Sequence, residues 1–516
     1  MKLEFLIYIS FIIYGLGFTA LFFRSKVIVT YSCLFISSFM MRYFIATQDD
    51  FLHSWDERYH ALVGKNLAKH PFEPTLKDNP ILPCNNLDWQ SGNVWVHKQP
   101  IFLFQIAASI KVFGNSEMAV RFPSIVMGAL LSLLIFRIGS ITSNSLSGYF
   151  ASGMFIFSFF QLEQTAGVIG MDHNDIAFAF YVTLSIWGYL EYLESGNKRF
   201  VYMIALATAF GTLTKWLPAL AIYGVWVIDA VLLDKQKRIH EIFLLFKSFC
   251  VSILIWGSWQ IYILLRWPIE TKFEYEFNRR HFSEELEGHG GNWDYHIKMF
   301  DSQYGAYAFI LLFVGLLIFL LDKSKKRYKT LFLLIPISTY LVFSIAKTKS
   351  FAYVFYISPI VFTIIGYGLY QIITLITAQV LNKVLKYVFY CAILIFYCNY
   401  QLSAKNLYKC HVLGQSEYIN NYRSVLQHNA NIYKQLDIVA SDCDIIFNCR
   451  NMQIVDAEFY SDKTVYSWFP DSTTIDSLID ADYKIGAFQG FSNQQLPDYI
   501  KNNNKIQIID LIQATE

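Results

Sequence analysis

The chain has 516 residues, 54% of them hydrophobic and only 16% charged, with a formal net charge of +2 at pH 7. Soluble domains carry nearer a quarter charged residues, so this is the composition of a membrane protein, and so small a net charge argues against nucleic acid as a partner. The 8 cysteines form no CxxC pair and no zinc spacing. Cys33, Cys250, Cys391 and Cys398 lie in apolar runs as packing residues, whereas Cys443 and Cys449 are near enough in sequence to bridge across a hairpin.

Apolar runs close to the ~20 residues that cross a bilayer predict spans over 3–23, 27–45, 118–138, 144–168, 174–193, 200–214, 217–233, 241–265, 303–321, 330–346, 351–375 and 384–402. The first run is too long for a signal-peptide core and lacks a small-residue cleavage site, so it is read as a span. Thr214-Lys215-Trp216-Leu217-Pro218 breaks two short runs and is either a loop or a re-entrant kink. The basic segments Arg24/Lys26, Lys198/Arg199, 234–238, 322–329 and Lys383/Lys386 fall on one side of this arrangement, which makes that side the cytoplasm. Loops 46–117, 169–173, 266–302 and 347–350 then face outward, as does the tail 403–516. The tail alternates Asn-rich charged stretches with strand-like runs at Leu436–Ala440, Ile445–Phe447 and Ile506–Ile512. The expected fold is a polytopic α-helical membrane domain over 1–402, with about twelve spans, followed by a small extracytoplasmic mixed α/β domain. Absence of any Asn-x-Ser/Thr sequon favours a bacterial exterior over an endoplasmic-reticulum lumen.

Four outward places carry more charge than a spacer needs. The loop after the second run opens with Gln48-Asp49-Asp50 and Asp56-Glu57-Arg58-Tyr59, and closes with His97-Lys98-Gln99-Pro100. Asp172 and Asp175 stand at the mouth of a span, where an Asp is often a helix cap. Arg279, Arg280 and His281 precede Gly288-His289-Gly290-Gly291, and Lys347 and Lys349 lie between apolar runs on the side where positive charge is normally depleted. Carboxylates opposite cations at a membrane surface suit displacement at a phosphate-linked carbon. One group removes a proton from an acceptor hydroxyl while cations hold the departing phosphate. The plainer alternatives are a wet loop with a capping carboxylate, and lysines touching lipid headgroups. No phosphate-cradling glycine motif for a nucleotide is present.

These residues resemble the GT-C superfamily of membrane glycosyltransferases, nearest the branch holding the aminoarabinose–lipid A transferases and the protein O-mannosyltransferases. The likeness runs over about 45–360 through Asp56-Glu57-Arg58-Tyr59, His97-Lys98-Gln99-Pro100, Phe113-Gly114, Arg121-Phe122-Pro123, the Asp172/Asp175 region, Leu213-Thr214-Lys215, Asn278–Phe282 with His289, and Lys349-Ser-Phe-Ala-Tyr353. It implies an inverting transfer of one sugar from a polyprenyl-phosphate donor to an extracytoplasmic acceptor, lipid A, lipopolysaccharide or another envelope glycan. Protein O-mannosylation is the alternative acceptor chemistry, and a transporter or flippase partner the alternative class. The resemblance implies Asp56 as general base, with Glu57, Asp172 and Asp175 as further acidic candidates. Lys98, Arg280, Lys349, Arg58, Tyr353 and Lys215 are the implied donor-phosphate ligands.

Three departures accompany it. An extra span over 3–23 precedes the one that leads into the acidic loop, so the amino terminus is expected outside. His97 stands where the branch has Glu, and the Asp-Glu to Arg-Tyr spacing is one residue shorter than in the aminoarabinose enzymes. No cofactor is required, but His97 and His289 could together hold a divalent metal, since imidazole suits zinc; hydrogen bonding is the other reading of the two histidines. The expected setting is a monomer in the cytoplasmic (inner) membrane, with its catalytic loops and tail on the periplasmic or extracellular side.

Overall fold

The computed structural model describes residues 5–167, 173–305, 307–378, 382–401, 417–489 and 496–514. The chain forms two compact units. The first takes in Met1–Gln48, Lys98–Phe102 and Ser124–His411, and the second Asp49–His97, Leu103–Pro123 and Val412–Glu516. Most of the stretch 46–117 thus groups with the tail, a different division from the expected boundary near residue 402.

The first unit is helical. Its elements are α1 (Phe5–Phe22), α2 (Val27–Ala46), most of α5 (Glu117–Thr142), α6 (Ser145–Ile156), α7 (Phe159–Ala166), α8 (Asn174–Ser195), α9 (Arg199–Lys215), α10 (Ala221–Val231), α11 (Lys235–Arg266) and α12 (Pro268–Ser283). They continue through the short α13 (Tyr295–Lys298) and α14 (Phe300–Tyr304) to α15 (Ala308–Leu321), α16 (Lys329–Ile345), α17 (Ser358–Ile376) and α18 (Lys383–Gln401). Among the described residues, seven helices are long and apolar enough to cross a membrane, including α1, α2, α5, α8 and α11.

Three local differences from the sequence reading have physical causes. The predicted span 144–168 is two helices, α6 and α7, separated at Phe157-Ser158; the second is rich in polar residues that a continuous apolar span would not hold. The break after Lys215 is a 3₁₀ turn over Leu217–Leu220. Finally, α4 (Pro100–Phe113) is an apolar helix of 14 residues, too short to register as a span.

Helices of a membrane domain gain little from apolar burial against lipid, so close packing and interhelical hydrogen bonds hold them. Ser10 and Ser37 each donate to the other's carbonyl, at 2.9 and 3.0 Å, locking α1 to α2. On α5 and α6, a Cβ at Gly139 would lie 2.5 Å from the Cα of Gly148, so neither position admits a side chain.

The second unit begins with α3 (Asp56–Lys69) and ends in an all-parallel sheet of β1 (Ile445–Phe447), β2 (Thr464–Val465), β3 (Ile485–Phe488) and β4 (Ile506–Ile509), in the order β2-β1-β3-β4. Ile445 pairs with Ile485, and Ile485 with Ile506. β1 and β3 are buried throughout, as parallel strands covered on both faces require. The expected strand at Leu436–Ala440 is instead a helical turn, Leu436–Val439. Leu436 alone is buried, while Ile438 and Val439 are exposed, and so short an apolar run does not distinguish a turn from a strand. Cys443 and Cys449 are both free and buried. Cys443 Sγ donates to Gln507 and Cys449 Sγ to the Tyr433 hydroxyl, and β1 between them pairs with parallel strands, so no hairpin exists for a disulfide to cross.

Candidate active site

Within the second unit, Asp56 is the first residue of α3 and is partly exposed. A carboxylate there faces the positive end of the helix dipole. The residue before it, Trp55, holds φ 65° and ψ −122°, a region that a bulky side chain rarely occupies, and is 49% exposed. Strained backbone of this kind persists where the surroundings over-determine it, commonly at functional sites.

Glu57, one letter on, points the other way and is wholly buried. Arg121 grips it with Nε 2.6 Å from Oε1 and Nη2 3.1 Å from Oε2, while also donating to the carbonyls of Asp49 and Phe51. The backbone N–H of His53 donates to Glu57 at 2.6 Å, and the His53 ring bridges Glu57 (3.1 Å) and Asp49 (3.0 Å). Arg423 closes the cluster on the far side of Asp49. Burial alone would raise the Glu57 carboxyl, but Arg121 and His53 hold it far below the usual carboxylate range. Burial likewise opposes protonation of His53, and the two carboxylates carry it above the ordinary histidine value. Glu57 is therefore a structural anion, not a second catalytic acid. Arg58, expected at the donor phosphate, is also buried: it pairs with Asp456 at 3.1 Å and donates to the Met452 carbonyl. His97 stacks on Trp89 with ring centroids 4.6 Å apart and planes 11° from parallel.

Within the first unit, the structure brings together Asp175, Lys215, Tyr353 and Lys98. Asp175 lies in the first turn of α8 and pairs with Lys215 at the end of α9. The Lys215 ammonium lies 5.9 Å from the Tyr353 ring, a cation–π approach. Lys98 and Glu287 are within electrostatic reach of the same tyrosine. Trp216, just after Lys215, repeats the Trp55 geometry with φ 70° and ψ −156°. Asp172 lies outside the described residues.

Lys349 is buried, with its ammonium on the carbonyls of Phe343 (2.8 Å) and Ser344 (2.7 Å), the last turn of α16. It satisfies helix-end acceptors, as basic residues commonly do at a C-terminus. Burial and then Lys347 depress its pKa. Arg280 is partly exposed and paired with Glu284, just past the end of α12. His289 is exposed, and its carbonyl accepts from the Lys349 N–H.

The residues do not fit a metal. Among the described residues no group of three or more His, Cys, Asp or Glu could hold one, and His97 has its ring face against Trp89. Sequence reasoning missed His53, Gln164 and His296. His296 is buried beside Tyr295 and Phe343, and burial together with Lys349 pushes its pKa down to about 4, so it is neutral. The polar letters Gln161, Glu163 and Gln164 inside an otherwise apolar run were the available signal for the second of these residues.

Residues 97–259 match the family model of dolichyl-phosphate-mannose-protein mannosyltransferases. An uncharacterized protein of Aquifex aeolicus (strain VF5) is 22% identical over 176 residues, which is 33% of this chain; the match spans only about a third of that relative, 34% of its length. Among solved structures, ArnT from Cupriavidus metallidurans bound to undecaprenyl phosphate aligns with a TM-score of 0.59 at 14% identity, covering 88% of each chain. The archaeal oligosaccharyltransferase AglB from Archaeoglobus fulgidus, in complex with an inhibitory peptide and a dolichol-phosphate, aligns at 0.55 and 10% identity over 84% of this chain and 64% of its own.

Proposed function

We propose that this multi-pass membrane protein, which has the GT-C glycosyltransferase fold and resembles the aminoarabinose–lipid A transferase and protein O-mannosyltransferase branch, moves one sugar from a polyprenyl-phosphate carrier to an acceptor hydroxyl outside the cytoplasm. The observation that carries this reading is the division of labour at the start of α3. Glu57 and Arg58 are locked in buried ion pairs, while Asp56 stays partly exposed behind a strained tryptophan. A rigid helix start with one accessible carboxylate suits a general base.

In the proposed reaction the acceptor oxygen forms a bond to the anomeric carbon with inversion, and its proton passes to Asp56. The bond from that carbon to the phosphate oxygen breaks, and polyprenyl phosphate departs with the electron pair. Lys98 and Lys215, with Tyr353, are the proposed ligands of the donor phosphate, and Arg280 and Lys349 supply further positive charge. Lys349 reaches a ligand only by leaving the α16 carbonyls. Support for a lipid-phosphate donor comes from the undecaprenyl phosphate held by ArnT and the dolichol-phosphate held by AglB. We place the enzyme as a monomer in the cytoplasmic membrane, acting on a lipid or glycan of the envelope. A protein acceptor is the second reading, favoured by the family model that covers 97–259.

Mass spectrometry of envelope lipids and glycoproteins from cells with and without this chain tests the proposal. A single-sugar mass difference on a lipid, glycan or protein supports it and identifies the acceptor. Identical profiles, with no transfer by purified protein from polyprenyl-phosphate sugars, would rule it out.

A further inference from the structure

The short helix α7 places Gln161, Gln164 and Thr165, all buried, in a stretch the sequence marks as a membrane run. Polar side chains at that depth are costly unless bonded, so their partners bear on function. The Nε2 of Gln164 donates to Oδ2 of Asp175 at 3.0 Å. The other carboxylate oxygen of Asp175, Oδ1, takes the Lys215 ammonium. Asp175 is therefore held from two sides by α7 and α9. Its side chain is 3% exposed against 26% for Lys215, so the lysine is the member of the pair that a ligand can touch. Asp175 is placed to orient Lys215, not to meet an acceptor itself.

We propose that Gln164 is a positioning residue for the donor phosphate. By donating to Asp175 it fixes that carboxylate, and the carboxylate in turn fixes the Lys215 ammonium beside Tyr353. This rests on the reading above that Lys215 contacts the phosphate. An amide suits this position because it offers a proton at every pH and adds no charge to a pair that must leave the lysine cationic. The charged and titratable groups around it are Lys215 on α9, Tyr353, Lys98 and Glu287 near that ring, Glu163 on α7 itself, and His173 before α8.

Two variants of the full-length protein in detergent test this, with a polyprenyl-phosphate sugar as donor and melting followed in parallel. Q164L removes the donor group, and the donor KM is expected to rise about tenfold with kcat within about twofold, at every pH. Q164E can donate to Asp175 only while protonated, and two ionised carboxylates at this separation repel. Its donor KM should match that of Q164L near pH 8 and return toward wild type near pH 5.5, a reversal that a merely structural role would not produce. A KM for Q164E that is independent of pH, or a fall in kcat with unchanged KM, overturns the proposal; if Q164L does not fold, Q164E decides alone. K215A separates the two levels. Unchanged donor KM in K215A refutes the phosphate reading itself, whereas a raised KM in K215A beside wild-type values in both Gln164 variants refutes only the positioning role.

Discussion

Glu57 and Arg121 meet inside the second unit with Oε1 2.6 Å from Nε, both side chains almost wholly shielded from water. The pair takes a carboxylate that reads as catalytic in the sequence and makes it part of the frame. Removing one member of a buried pair leaves the other uncompensated, which typically costs about 3–5 kcal/mol. R121L should therefore lower the melting temperature sharply and reduce the yield of folded protein, whereas R121K, which keeps the charge but not the fork, should fall between. Wild-type melting in R121L would show that the cluster carries no stability.

The same cluster sets a pH window. The Glu57 carboxyl is depressed in the fold, so its contribution is present above the unfolded carboxyl value of about 4.3 and is lost as pH falls. His53 is raised in the fold, so its contribution is complete below about 6.5 and is lost as pH rises through the folded value. Melting of wild type against H53Q should show the largest wild-type advantage near pH 5–6, narrowing toward pH 9. An advantage that grows with pH would contradict the protonated bridge from Asp49 to Glu57.

Cys443 and Cys449 should behave as separate buried thiols. Burial pushes the Cys449 thiol up to about 12 and raises that of Cys443, so both are poor thiolates at neutral pH. Alkylation without reductant, followed by intact-mass measurement, should label both after denaturation and neither quickly in the native protein. A two-dalton deficit from a 443–449 disulfide would refute this arrangement of β1.

Much of the architecture was legible because hydrophobic run length is a strong signal in a bilayer. The positions of α1, α2, α5, α8, α9 and α11 follow from it, and the composition change near residue 403 announced the α/β tail. The site was legible in residue type but not in direction. Asp56 and Glu57 are adjacent letters, yet neighbours on a helix point about 100° apart, and only packing decides which one meets water. Arg58 is buried for a related reason: a carboxylate and a carbonyl from a distant segment, Asp456 and Met452, engage it, and no local pattern encodes that. The tail turn Leu436–Val439 was misread because four apolar-rich letters fit a strand and a helical turn equally well.

The central claim is that Asp56 removes the acceptor proton. The direct measurement is single-sugar transfer by purified D56N beside wild type, with donor binding and melting recorded on the same samples. A partly exposed carboxylate at a helix start contributes little to folding, so melting should stay within about 0.5 kcal/mol of wild type and donor binding should persist. Transfer should fall by about 10²–10⁴-fold. Turnover by folded D56N at the wild-type rate would contradict the account.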